Sequence, residues 1–351
     1  MVRVAIKARR QRAALTMGNP ALVEVVRGAL VESRHRGAVA VADADGRPVL
    51  ALGEIERPVY PRSAIKALQA LPLVESGAAD RYGFGSEELA MACASHGGEP
   101  GHVATVARML AAAGLDPSAL KCGAHWPIHQ ASAQALARSG AMATALHNNC
   151  SGKHAGFLCT ACAMDADRGS YAEPANPVQR EVRATLENLS SSELSEDVCA
   201  IDGCSVPTWA MPLATLARAF ARFGTGQGLA PGRAKAAARL RAACAEKPWH
   251  VAGTGRFCTA IMEIFGARVF VKTGAEGVFC AALPEQGLGI AVKCDDGAGR
   301  AAEVVMAATL VRFRASAAAR ARLSRFVQPT LHNWNGIAVG SLRPTKAIAA
   351  P

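Results

Sequence analysis

The stretch "YPRSAIKALQ", Tyr60 to Gln69, sets a serine and a lysine three residues apart, just after a proline that suits the first turn of a helix. Side chains at that spacing share one helix face, so Ser63 Oγ and Lys66 Nζ can meet. A serine hydroxyl is a weak nucleophile until a base takes its proton, and a lysine kept neutral by burial or nearby cations is such a base. Arg62 is a candidate for that cation, or for a clamp on an anionic ligand. The S-x-x-K spacing is common by chance, and the same residues also describe a capped surface helix with a solvated charge.

A second motif shifts that balance. "KTG", Lys272 to Gly274, ends a β-rich run, and S-x-x-K with a later K-T-G is the motif set of serine β-lactamases and penicillin-binding proteins. The glycine would let a substrate come close to the backbone. "CASHGGE", Cys93 to Glu99, presents Ser95 and His96 where an apolar helical run gives way to paired glycines.

Two more loops concentrate polar side chains. "HNNCSGKHAGFL", His147 to Leu158, carries Cys150, Lys153 and His154 before a helical run, and "IDGCSVP", Ile201 to Pro207, adds Asp202 and Cys204. Two thiolates and an aspartate are reasonable zinc ligands. Yet Cys-x-x-Lys with Asp-x-Cys is no ordinary zinc spacing, and a lysine must lose its proton to bind metal. Cys159 and Cys162 lie in an apolar helical pattern and read as small buried hydrophobes. His125 and His129 read as loop or packing residues, because Pro127 between them breaks a regular helix and no H-E-x-x-H glutamate is present.

The elements that must position these residues divide by place in the chain. "AVAVADADGRPVLALG", Ala38 to Gly53, is a hairpin signal around Asp-Gly, and three β-rich runs lie between Ala267 and Cys294. Between them are helical patterns at 63–76, 86–95, 101–113, 128–138, 152–164, 177–188, 213–223 and 232–246. "GRAAEVVMAATLVRFRA" near the end is amphipathic and would pack back on the sheet. The expected architecture is α+β in one catalytic domain, 17–351: an antiparallel sheet from about 20–60 and 265–345, helices on its faces, and a helical region at about 63–260.

Composition narrows the function classes. Half of the 351 residues are apolar, enough for a large core, and no run of about 18 uncharged apolar residues appears, so no membrane span is expected. The net charge of +11 falls to +6 without the five cations of the leader at 1–16, which reads as a tail or start-site artefact. The other cations are scattered, and three tyrosines and four tryptophans offer no basic stripe interleaved with aromatics. A nucleic-acid partner is therefore not expected; a small anionic or zwitterionic ligand is. Eleven cysteines at irregular spacing, without a secretory signal, point to reduced thiols and a cytoplasmic setting.

Taken in order, "VESRHRG", "PRSAIKALQALPLVESGAADRYGF", "CASHGGE", "CGAHWP", "HNNCSGKHAGF", "IDGCSVPTWAMPL", "AGTGRFCTAIM" and "KTGAEG" resemble the asparaginase II family typified by the inducible rhizobial L-asparaginase, over about Pro20 to Gly340. That resemblance implies a serine β-lactamase and glutaminase-like fold, and hydrolysis of L-asparagine to L-aspartate and ammonia. It implies Ser63 with Lys66 as one Ser-Lys pair and Ser95 with Lys272 as a second. It implies a zinc site of Cys150, Lys153 and Cys204 with Asp202 beside it, substrate contacts from Arg62, His154 and Asp202, and a homodimer. The segment after His96 is Gly97-Gly98, where the family leads one to expect serines. Rival readings are a glutaminase or β-lactam-type hydrolase on the same apparatus, or a zinc-dependent protein that binds an amino acid without turning it over.

Overall fold

The computed structural model describes residues 18–314 and 316–349. The basic leader lies outside the described residues.

Strands β1 (Ala21–Arg27), β2 (Leu30–Asp43) and β3 (Pro48–Leu52) open the chain. The β2–β3 hairpin turns at Asp-Gly as its sequence demands: Asp43 Oδ1 accepts from the Asp45 and Arg47 N–H groups, at 3.0 and 2.8 Å. Short strands β4 (Pro58–Val59), β5 (Cys199–Ile201), β6 (Pro207–Trp209) and β7 (Met211–Pro212) form two small antiparallel pairs, β4 with β7 and β5 with β6. The chain then returns to the main sheet through β8 (Phe270–Thr273), β9 (Val278–Leu283), β10 (Leu288–Cys294), β11 (Thr330–His332) and β12 (Ala338–Pro344). The eight-stranded antiparallel sheet runs β11-β12-β1-β2-β10-β9-β8, with β3 also on β2.

Every residue of β9 is buried, which follows from its unbroken apolar sequence "VFCAAL" and requires cover on both faces. Helix Leu213–Thr225 supplies one cover and helix Gly299–Arg314 the other. Phe220 and Phe223 of the first meet Phe270 of β8 with ring centroids 6.3 and 5.3 Å apart. Each such buried ring contributes roughly 1.5–3 kcal/mol of transfer free energy. β8, the strand that carries Lys272, is left as one edge of the sheet, beside the helical region.

The sheet limits and the helical middle follow the sequence patterns, with three differences. The single helix expected over 63–76 is instead a 3-10 turn, Arg62–Ile65, followed by Lys66–Gln69 and Leu71–Glu75. Pro72 explains the break, since it has no N–H to donate and its ring crowds the preceding turn. Strands β5 to β7 sit inside the region read as helical. Helices Phe257–Phe265 and Ala317–Val327 carry no legible periodicity: the first is apolar almost throughout, and only Leu323 is buried in the second.

Candidate active site

The β4–β7 pair delivers the chain into Pro61, and Arg62 then takes a φ of +51°, a left-handed conformation rare for a residue with a Cβ. Two contacts hold it there: Arg62 Nε–H donates to Asp202 Oδ1 at 2.6 Å, and the Ala64 N–H donates to Pro61 O at 3.1 Å. The tight 3-10 turn buries Ala64 and Ile65 and leaves Ser63 half-buried at its head. A strained backbone beside an accessible hydroxyl is a feature of sites where a side chain must be aimed.

Lys66 is fully buried. Its amine donates to Ala94 O at 2.6 Å, Ser95 Oγ at 3.0 Å and Asn149 O at 3.2 Å. Among the described residues no hydrogen bond joins it to Ser63 Oγ. The local spacing places the lysine on the same turn as Ser63, but three acceptors from other segments draw its amine toward Ser95.

Lys272 reaches the same hydroxyl from β8. Its amine donates to Ser95 Oγ at 2.8 Å and to Thr273 O at 2.9 Å. Burial, and then the Lys66 charge, push it down from the ordinary 10.5 to about 7. Ser95 Oγ thus sits between two lysine amines, one of which is poised to be neutral near neutral pH.

Gly274 explains how β8 comes so near the serine turn. A Cβ there would lie 2.8 Å from Pro61 O and 3.2 Å from Ala64 N, so only glycine lets the two backbones touch. Gly274→Ala should force them apart, at a cost of about 1–3 kcal/mol in stability. A thermal melt lowered by several degrees, with kcat/KM down at least about tenfold, is the expected result.

A second cluster adjoins this one. Helix Ser151–Ala163 starts where Asn148 Oδ1 accepts from the Cys150 N–H at 2.8 Å, and it carries Lys153 and His154 inward. The Asp202–Val206 loop of the β5–β6 hairpin brings Cys204 over Lys153, whose amine donates to Cys204 Sγ at 3.1 Å. The Cys204 thiol beside it, with help from Lys66 and Lys153 against burial, holds Cys150 well below the usual thiol range. Cys204 moves the other way, raised by Cys150 and by burial, and the Cys150 thiol donates to Asn149 Oδ1 at 2.9 Å. Burial disfavours a charge on Lys153, but the Cys204 and Cys150 sulfurs hold its pKa above the ordinary value. Burial would also raise Asp202, yet Lys153 and then Arg62 keep it below the usual carboxylate range.

Among the described residues, no group of three or more His, Cys, Asp and Glu side chains could hold a metal ion. A metal here would depend on the lysine. Two buried sulfurs, with an amine on one of them, are a donor set of the right chemistry for zinc once the thiols and Lys153 are deprotonated.

His154 is as deeply buried as Lys66 and Lys272. It is fully buried; its Nδ1 accepts from Tyr171 Oη at 2.7 Å, and Tyr171 Oη in turn accepts the Lys121 N–H at 2.8 Å. His154 Nε2 is buried near the Cys204 backbone without a hydrogen-bond partner, and burial holds the ring neutral. His125, read from the sequence as a packing residue, belongs to the site's surroundings. Its Nε2 accepts the Asn149 N–H at 2.9 Å and its Nδ1–H donates to Trp126 O at 2.7 Å. Pro127 lies in the irregular loop between His125 and the helix that starts at Gln130. Asn149 meets Lys66 through its backbone carbonyl, which no side-chain pattern reports, and its Oδ1 accepts from the Cys150 thiol at 2.9 Å.

A cleft of about 300 Å³ opens beside the serine turn, with Tyr60, Arg62, Glu276, Lys293 and Asp295 in its walls. It meets the site through Arg62, and neither serine lines it.

No described helix is long and apolar enough to cross a membrane. No curated protein matches the chain. Among solved structures, the crystal structure of a β-lactamase from Mycobacterium bovis is similar at 16% identity, covering 76% of this chain and 89% of that one, with a TM-score of 0.35. The sequence matches the L-asparaginase II family over residues 23–344, a span that contains all three lysines, both serines and both thiols. The chain belongs to the L-asparaginase II family, hydrolases that act on amides.

Proposed function

We propose that the protein is an L-asparaginase that hydrolyses L-asparagine to L-aspartate and ammonia through a serine ester. The observation that carries the mechanism is Ser95 Oγ held between Lys66 Nζ at 3.0 Å and Lys272 Nζ at 2.8 Å. Ser63 attacks the side-chain amide carbon, and its proton passes through Ser95 to the neutral Lys272 amine. That proton then goes to the leaving nitrogen; the C–N bond breaks and ammonia departs. Water attacks the ester by the reverse route, aspartate leaves and Ser63 recovers its proton. Lys66 Nζ, on the other side of Ser95 Oγ, and backbone N–H groups of the Ser63 turn and the β8 edge stabilise the developing negative charge.

Arg62 gives one N–H to Asp202 and keeps the rest of its guanidinium for the substrate α-carboxylate, while Asp202 faces the α-amino group. Cys150, Lys153 and Cys204 would hold zinc, and His154 would support them from behind. Bound zinc would supply positive charge that aligns the amino-acid end of the substrate. Because the thiols and Lys153 must give up protons, zinc should bind more tightly at pH 8.5 than at pH 6.5. Titration against a chelator should show this, with Cys204→Ser weakening binding at least about tenfold. An affinity indifferent to both changes would remove zinc from the proposal. The family resemblance also leads us to propose a homodimer, which sedimentation measures directly.

Ammonia release from L-asparagine and L-glutamine, side by side, tests the substrate. One methylene is worth about 1–3 kcal/mol, so asparagine should be favoured about 10- to 200-fold in kcat/KM. Dominant glutamine turnover would make the protein a glutaminase, and no turnover of either would end the hydrolase reading. The hydrogen bonds of Ser95 favour one alternative, in which Ser95 is itself the nucleophile. Acid-quench mass spectrometry separates the two by which serine carries the aspartyl adduct.

A further inference from the structure

Two sequence motifs take no direct part in this chemistry, "HGGE" after Ser95 and "AGTGR" before helix Phe257–Phe265. In the fold they close on each other. The Thr254 N–H donates to Glu99 Oε1 at 2.8 Å, and Thr254 Oγ1–H donates to Glu99 Oε2 at 2.7 Å. Trp249 Nε1–H donates to Thr254 Oγ1 at 3.0 Å, His102 Nε2–H to Trp249 O at 3.0 Å, and the Glu99 N–H to His102 Nδ1 at 3.2 Å. The circuit is complete: Glu99, Thr254, Trp249, His102 and back to Glu99. Its directions require His102 to be neutral, and burial pushes that ring down to about 4. The His102 ring also stacks on Trp249, with centroids 3.9 Å apart.

Two details show that this is a built latch. Gly253 has a φ of +106°, and a Cβ there would lie 2.5 Å from Glu99 Oε1, so the carboxylate approaches a backbone that only glycine leaves open. The Glu99 carboxylate is nearly enclosed, and no lysine or arginine among the described residues forms an ion pair with it; His102 and His129 stand 3.9 and 3.7 Å away. The same segment also grips the other end of the loop, because the Ser95 N–H donates to Val251 O at 2.9 Å. Both ends of Ser95–Glu99 are therefore tied to residues 249–254, while its middle is held from another side, by the His129 N–H on Gly97 O at 2.9 Å and the His96 ring on Ser151 Oγ at 2.9 Å.

We propose that Glu99 and Thr254 are positioning residues that fix Ser95 Oγ between Lys66 and Lys272. This inference rests on the proposed role of Ser95 in proton transfer. Since Ser95 carries a proton and does not grip the substrate in that role, loosening the latch lowers kcat and leaves KM nearly unchanged.

Thr254 is exposed, so its variants should fold. Thr254→Val removes the hydroxyl and keeps the volume; kcat per active site should fall about tenfold with KM within about twofold. Thr254→Ser, which keeps the hydroxyl, should stay near the parent, and Glu99→Gln, which loses one acceptor, should fall as Thr254→Val does. Parental kcat in Thr254→Val, or an equal loss in Thr254→Ser, would overturn the proposal. So would a lower Tm with kcat per folded molecule unchanged, since that is a purely structural latch. Ser95→Ala is measured alongside. If it is inactive while Thr254→Val is normal, only the latch fails; if it keeps full turnover, the reading of Ser95 fails and takes the latch with it.

Discussion

Ser63→Ala should abolish asparagine hydrolysis, with kcat reduced by about 10³-fold or more, while asparagine still binds with an affinity within a few-fold of the parent. The loss is large because no ester can form without the hydroxyl, and the base and oxyanion donors that remain can only assist a slow direct attack by water. Binding survives because Arg62, Asp202 and the cluster around Cys150 do not depend on Ser63 Oγ. The side chain is half-buried and makes no described hydrogen bond to either lysine, so the variant should melt within a few degrees of the parent. Ammonia release and asparagine calorimetry on the same preparation check both halves. Substantial turnover in Ser63→Ala, with the aspartyl adduct found on Ser95, would transfer the nucleophile to Ser95.

Lys272→Met should be inactive and more stable. Activity is lost because the proposed mechanism takes Lys272, held near 7 by burial and then by the Lys66 charge, as its base. In the parent, kcat/KM should therefore rise with pH through an apparent value near 7, and the variant should lack that limb. The stability effect has a definite sign. The native-state pKa is depressed from 10.5 to about 7, so between those values the unfolded chain binds more protons than the folded one. Parent stability then rises with pH across that window and is lost as pH falls through the native value. Removing the amine removes this penalty, which is on the order of several kcal/mol at pH 7 and below. Melting curves at pH 6.5 and 10 should show Lys272→Met well above the parent at the lower pH and close to it at the higher. A variant less stable at both would mean that Lys272 is held charged and paired.

Much of the fold is legible in the residues alone. The Asp-Gly turn of the β2–β3 hairpin, the apolar runs of β8 to β10 and the amphipathic helix after them follow from local backbone preferences and burial pattern. The Asp202-Gly203 turn of the small β5–β6 hairpin carries the same signal between shorter runs, but three-residue strands show too little alternation to be told from loop. His125 and Asn149 are harder still to read. A histidine four residues from another invites judgement as half of a metal pair, and Asn149 meets Lys66 through its backbone carbonyl.

The order of residues settles the stock of reactive groups: two serines, three lysines, two thiols and the glycines that let backbones approach. Which groups meet is decided in three dimensions. Ser63 and Lys66 are neighbours in the chain, yet Lys66 bonds to a serine 29 residues away, and that serine's other lysine lies 177 residues further on. Chain periodicity governs contacts within a turn or two of helix, whereas a long buried amine, cut off from water, goes wherever the packed interior leaves it acceptors.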